Sequence, residues 1–349
     1  MKKVYFLFIF LLLFSFCRAS AAEERLGPGI YGGNNPAFGQ LNEDITPDFP
    51  QITIFPAEPE EGDELYVVVE CFVDEYKSEN EVERVSLFYS VNEEREFKEI
   101  NLKRTRDSKI MWWGSIPAQK RGTTIDFYLS AEDSVGNKAI EVPPLVRSFP
   151  PEDEDLFLII SDGDDTLKVY PDDLNITDIY AGFDEDNLYL KVKVKGKFSS
   201  SYRGKFAYVY GVGVVCPDVR TDPVRWNHEM SSAQFLGYLP LMNKIGFFRN
   251  MEGIMEEPKG KIKSKKEGGT LYLSCQRDLI SSKENVLGGM KIFAATALAN
   301  IQKIGSLLSA DLENVEEMEA ALPEPVDGTN YILVYPRGHR IEVGRGKLK

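Results

Sequence analysis

An all-β fold, two β-sandwich domains in succession behind an export leader, is what this sequence predicts, and three observations carry it. Short runs of β-branched and aromatic residues recur along the chain, separated by turns rich in Gly, Pro, Asn and Asp. The i, i+3, i+4 spacing of a long amphipathic helix is missing from the first half. Between Glu141 and Asp155 the pattern breaks, where Pro143, Pro144, Pro150 and Pro151 precede an acidic run. Proline disfavours both helix and ladder pairing, so a domain boundary belongs there.

Residues 1–21 read as a signal peptide. Lys2 and Lys3 form a basic start, and Val4 to Phe16 is an apolar run too short to span a bilayer with ease. The small residues Ala19, Ser20 and Ala21 place cleavage near Ala22 or Glu23. Cys17 raises a lipoprotein alternative, but the bulky Phe16 before it argues against a lipobox. The expectation is a secreted or periplasmic protein. Losing Lys2, Lys3 and Arg18 takes the formal charge from -14 to about -17, a balance that repels nucleic acid and anionic lipid. No later run is apolar enough to form a transmembrane segment; the best is Ile292 to Ile301, flanked by Lys291 and Lys303.

Residues 22–46, with Gly27-Pro28-Gly29 and Gly32-Gly33-Asn34-Asn35-Pro36, read as a flexible lead-in. Strand-like runs follow at Gln51 to Phe55, Glu64 to Val73, Val82 to Ser90, Lys109 to Ile116, Thr124 to Ala131 and Lys138 to Val142. Trp112 and Trp113 are neighbours in one of them. Adjacent strand residues point to opposite faces, so one ring enters the core and the other is exposed. The segments FPAEPEEGDELYVVV, VERVSLFYSVNEEREFKEI, WWGSIP and IDFYLSAEDSVGNKA resemble the immunoglobulin-like or fibronectin-type-III-like accessory domains of exported bacterial proteins. The likeness covers 47–148, with Tyr128, Ala131 and Asp133 leading into a Gly136-Asn137 turn as its signature. It implies a spacer or docking module.

A linker at 149–155 leads to a second β pattern over 156–335. Its clearest strand alternates Leu188, Leu190, Val192 and Val194 against Tyr189, Lys191, Lys193 and Lys195, which predicts one buried and one wet face. Further strands are read at Lys205 to Val215, Gly269 to Cys275 and Gly289 to Ala299; the last could also form a small-residue helix, and strand is preferred. The segments DGDDTLKVYPDDLNITDIYAGFDEDNLYLKVKV, YVYGVGVVCPD and GGTLYLSCQRDLI resemble DOMON-like sandwiches, a group that includes family-nine-type carbohydrate-binding modules and haem-binding electron-transfer subunits. Residues 336–349 read as a basic C-terminal tail.

The candidate chemistry is sparse. The two histidines, His228 and His339, stand in no metal or triad spacing. Asp162, Asp164 and Asp165, followed by Asp172, Asp173 and Asp178, offer the hard oxygens that calcium takes, although no glutamate closes an EF-hand loop. The competing role for these carboxylates is turn formation. A sugar needs exposed aromatic rings beside polar groups, since its C–H face packs on a ring face. In the second domain Trp226, Tyr208, Tyr210, Tyr238 and Phe235 are the candidates for such a site. Haem, which the resemblance would place near Met242, Met251 or Met255, is not expected, because no axial-ligand motif accompanies them. Three cysteines remain after the leader, and Cys216 and Cys275, each ending a strand, form the expected disulfide. Cys71 is expected to be a buried thiol.

These features imply an exported, non-catalytic accessory protein whose partner is a carbohydrate or an envelope protein. A structural assembly subunit of the envelope and a polysaccharide-active enzyme with a hidden carboxylate site are the alternatives.

Overall fold

The computed structural model describes residues 47–73, 81–161, 171–215, 233–241, 243–249, 261–280, 289–301, 324–329 and 332–344. They are almost wholly β, as the sequence predicts. The leader, the lead-in and Cys17 lie outside them. The chain divides into two compact units, Glu43–Leu145 joined by Ile332–Lys349, and Val146–Tyr331.

The first unit opens with eight strands: β1 (Asp48–Phe55), β2 (Leu65–Phe72), β3 (Val82–Val91), β4 (Lys98–Asn101), β5 (Lys103–Arg104), β6 (Met111–Ile116), β7 (Thr124–Asp133) and β8 (Lys138–Glu141). One sheet has the order β1-β2-β6-β5, and β8-β7-β3-β4 are joined in a second ladder. Period-two alternation decides which side chains meet between them. Leu65, Val67, Val69 and Cys71 of β2 join Val85, Leu87, Trp112, Ile125, Phe127 and Leu129 in one buried cluster. The β7 to β8 turn is fixed by Asp133, whose carboxylate accepts hydrogen bonds from the amides of Val135 and Asn137. Gly136 takes a φ of +91° there, which suits a residue without Cβ.

The second unit contains β9 (Phe157–Ser161), β10 (Ile176–Phe183), β11 (Asn187–Val194), β12 (Ser201–Tyr202), β13 (Phe206–Val215), β14 (Ala233–Leu239), β15 (Lys244–Arg249), β16 (Ile262–Glu267), β17 (Thr270–Gln276), β18 (Met290–Asn300) and β19 (Glu324–Gly328). One sheet runs β16-β17-β11-β10-β9, and β15-β14-β13-β18 form a further ladder. The stretch that could have been a helix is strand β18, paired with β13 from Phe206↔Asn300 to Val215↔Lys291. On β11 the predicted inward set Leu188, Leu190, Val192 and Val194 is buried, but so are Tyr189 and Lys191 from the face expected to be wet. Val146 and Leu156 pack on Tyr189, and Asp153 pairs with the Lys191 ammonium. That partner is what makes a buried lysine tolerable.

The chain then returns to the first unit. Strand β20 (Ile332–Tyr335) runs parallel to β8, and β21 (His339–Glu342) runs antiparallel to β7. The expectation of a second domain reaching residue 335 and a basic tail after it is therefore corrected. Arg337, His339 and Arg340 of that segment have acidic partners far upstream. Fully buried Glu141 accepts from Arg337 Nε at 2.7 Å and from the Leu129 amide at 3.0 Å, and lies 3.1 Å from His339 Nε2. Arg340 makes a paired contact with Asp126. Among the described residues, no helix is long and apolar enough to cross a membrane.

Candidate functional site

The residues that the sequence offered for sugar binding fall in the wrong place or outside the described residues. Trp226 and the side chain of Phe235 belong to the latter. Tyr208, Tyr210 and Tyr238 are 2%, 3% and 1% exposed. The Tyr210 hydroxyl donates to the Asp173 carbonyl at 2.9 Å, and that of Tyr238 to Asn243 Oδ1 at 3.0 Å. Burial pushes the Tyr208 phenol up to about 12 and raises those of Tyr210 and Tyr238. Rings enclosed in this way have no face left for a sugar, so they serve the core.

The acidic cluster is only partly described, since Asp162, Asp164 and Asp165 lie outside the described residues. Asp173 Oδ1 accepts from the Lys197 amide at 2.7 Å, and Asp172 stands 3.5 Å from Lys195 Nζ. Asp173 therefore holds local backbone, and Asp172 a neighbouring cation. Among the described residues no three His, Cys, Asp or Glu side chains are grouped to hold a metal. Cys216 also falls outside the described residues, so the pairing with Cys275 has no geometry to report. Cys275 and Cys71 are both fully buried. Met242, Met251 and Met255 are likewise outside.

Among the described residues, the exposed aromatic rings are instead on the first unit. The outer face of the sheet β1-β2-β6-β5 carries Phe55 (67% exposed), Tyr66 (37%) and Trp113 (37%). Strand parity puts them there: Trp112 faces the core at 5% exposure and Trp113 faces out, as the adjacent pair requires. Register brings the rings together, because Phe55 lies opposite Tyr66, Tyr66 opposite Ser115, and Val68 opposite Trp113. The Tyr66 and Trp113 rings are 6.5 Å apart between centroids, inclined at 35°. Lys103 Nζ sits 5.8 Å from the Trp113 ring centre.

A carboxylate borders these rings. Glu64 accepts from Ser115 Oγ at 2.6 Å and from the Tyr66 hydroxyl at 2.7 Å. These two hydrogen bonds hold the Glu64 carboxyl below its ordinary value, and the same contact raises the Tyr66 phenol. Glu64 thus keeps its charge to lower pH than an unpartnered glutamate does. Exposed rings, a charged acceptor, a hydroxyl and a nearby ammonium give the face apolar patches edged by hydrogen-bonding groups, the combination that amphipathic ligands require.

Sequence reading missed Tyr66, Phe55 and Glu64 for a physical reason. In β2 the outward positions Tyr66, Val68 and Phe72, though not Glu70, are as apolar as the inward ones, so LYVVV reads as a strand buried on both sides. The signal that could have found the face is parity: the exposed Trp113 marks the outer row, and its neighbours share it.

The fold and this face define an all-β protein with an open aromatic sheet surface. No family model matches the chain, and no curated protein does. Among solved structures it is similar to a cycloalternan-degrading enzyme from Trueperella pyogenes, at 10% identity and a TM-score of 0.20 over 64% of this chain and 30% of that one. It is also similar to a cycloalternan-forming enzyme from Listeria monocytogenes, at 9% identity and a TM-score of 0.20 over 70% of this chain and 21% of that one. A third is a DUF4785 family protein from Legionella pneumophila, at 8% identity and a TM-score of 0.17 over 71% of this chain and 52% of that one. The chain thus spans about a third or less of the length of either enzyme. The expectation of a non-enzyme is withdrawn, carbohydrate-processing enzymes standing among these matches; the likeness itself assigns no activity to this chain. A carboxylate-based site also needs none of the histidine spacings whose absence the sequence shows.

Proposed function

We propose that this is an exported carbohydrate-associated protein whose first unit presents an aromatic sugar platform. The observation that carries the reading is the exposed Tyr66 and Trp113 pair with Glu64 hydrogen-bonded at its edge. A pyranose offers apolar C–H groups to the rings and hydroxyl donors to the carboxylate. The basic, apolar leader at residues 1–21 supports export, and the immunoglobulin-like pattern of the first unit is the scaffold for the face. Affinity electrophoresis of the full chain through gels containing soluble polysaccharides tests the platform. Retardation by at least one polymer, lost in Trp113→Ala, is expected. Unchanged mobility in every gel would refute the reading.

The polysaccharide-active alternative has its own observation, an ionised carboxylate beside the rings. Incubating the chain with the polymers that retard it and assaying new reducing ends tests it. Activity abolished by Glu64→Gln would make Glu64 a catalytic residue, while binding without release would confine the face to recognition.

A further inference from the structure

We propose that the aromatic face holds an uncharged polysaccharide chain laid across the strands and contacted along its length, an inference that rests on reading this face as a sugar platform. Geometry supplies the direction. Two rows cross the sheet, Phe55 to Tyr66 to Ser115, and Thr53 to Val68 to Trp113 to Lys103, each made of residues in direct register. Strands lie about 4.8 Å apart, so the second row covers roughly 14 Å. A single sugar ring can stack fully on Tyr66 or on Trp113, whose centroids are 6.5 Å apart, and a chain can stack on both. Phe55, at the edge strand β1, extends the same surface in the row of Tyr66. The rings lie on the outside of a sheet, so the site selects internal segments of a polymer and has no need of a free end.

Charge decides the class of polymer. Glu64 presents an ionised carboxylate at the edge of the rings, and Glu70 lies on the same face of β2 opposite Met111. The chain as a whole carries a formal charge of -14. A sugar hydroxyl donates to such carboxylates. A uronate or sulfate brought to the same place meets like charge, with Lys103 as the nearby cation over the Trp113 ring. The surface is complementary to polyhydroxylated chains without acidic groups.

The test compares retardation of the full chain by neutral polymers (glucans, xylan, mannan and glycol chitin) with acidic ones (polygalacturonate, alginate and hyaluronate). It then measures the affinity of oligosaccharides of the best polymer by titration calorimetry. Retardation confined to neutral polymers is expected, with the hexasaccharide bound at least about tenfold tighter than the monosaccharide, as contact with a second ring requires. Trp113→Ala should remove most of that gain and Trp113→Phe should restore part of it. Glu64→Gln should admit acidic polymers that the native chain rejects. Retardation by acidic polymers in preference to neutral ones, or equal affinity for monosaccharide and hexasaccharide, would overturn this inference and leave the platform standing. Retardation by no polymer would bring down the platform itself. So would a concentration-dependent dimer abolished by Trp113→Ala in the absence of sugar binding, which would make the face an interface between copies.

Discussion

Tyr66 and Trp113 in the first unit, and Tyr208, Tyr210 and Tyr238 in the second, are chemically alike and physically opposite. The first pair stands on the outside of a four-stranded sheet, and the second group is sealed in a core. Residue type does not separate them. Strand parity and what covers each face do, so the same kind of ring stabilises the core in one unit and, under the proposed function, serves recognition in the other. Substitutions can break this contrast if it is wrong.

The largest effect concerns the framework beneath the exposed face. Deleting Ile332–Lys349 removes β20 and β21, and with them the buried side chains of Ile332, Leu333, Val334, Tyr335, Ile341 and Val343. The first unit should then lose its cooperative unfolding transition in circular dichroism. Glu141→Ala is a milder version that leaves Arg337 and His339 facing a buried gap. Removing one partner from a buried ion pair costs about 3–5 kcal/mol, to be read from the denaturant midpoint. A wild-type transition in either variant would show that the C-terminal segment is an appendage.

Tyr210→Ala should cost about 3–5 kcal/mol of stability through the cavity it opens, yet leave polysaccharide retardation of the folded protein unchanged. Loss of retardation with no change in stability would exchange the roles assigned to the two aromatic groups.

How far these roles could be read beforehand differs residue by residue. The opposition of Trp112 and Trp113 follows from adjacency in a strand, and so does the inward row of β11, whereas the burial of Tyr189 and Lys191 on its other face comes from the segment packed over them. Tyr208 and Tyr210 were misread because β13 is apolar on both parities, FAYVYGVGVV, so composition cannot say whether their row meets water. Basic residues near the end read as a tail because Glu141 and Asp126, their partners, precede them by about two hundred positions. Long-range ion pairing leaves no local trace in a single sequence. Asp172 and Asp173 looked like metal ligands because a carboxylate that holds a turn and one that holds a cation have the same letters.

Alkaline titration sharpens the contrast. The Tyr208 phenol is raised to about 12 by burial, and Tyr210 is raised as well. An unfolded tyrosine loses its proton near pH 10. Above that pH the unfolded chain therefore binds fewer protons than the folded one, and stability falls as pH rises. The buried tyrosines contribute their share fully below about pH 10 and lose it progressively towards pH 12. Melts between pH 8 and 11.5 should show the decline beginning near 10, with a smaller slope in Tyr208→Phe. An unchanged slope in that variant would place Tyr208 in water.

The smallest stability effect is expected at Trp113, where truncation of an exposed ring should shift unfolding by only about 0.5 kcal/mol in either direction. Tyr66→Phe should be similar, since it keeps the ring and releases one exposed hydrogen bond to Glu64.

The most direct test sets that small shift beside the binding it should abolish. Wild type, Trp113→Ala and Tyr210→Phe, each with its melt recorded, are run side by side through gels containing the neutral polysaccharide that best retards the wild type. Retardation lost in Trp113→Ala, with a melt that overlays the wild type, and kept in Tyr210→Phe is the predicted result; a Trp113→Ala protein retarded as strongly as the wild type would contradict the assignment of the exposed sheet face as the sugar site.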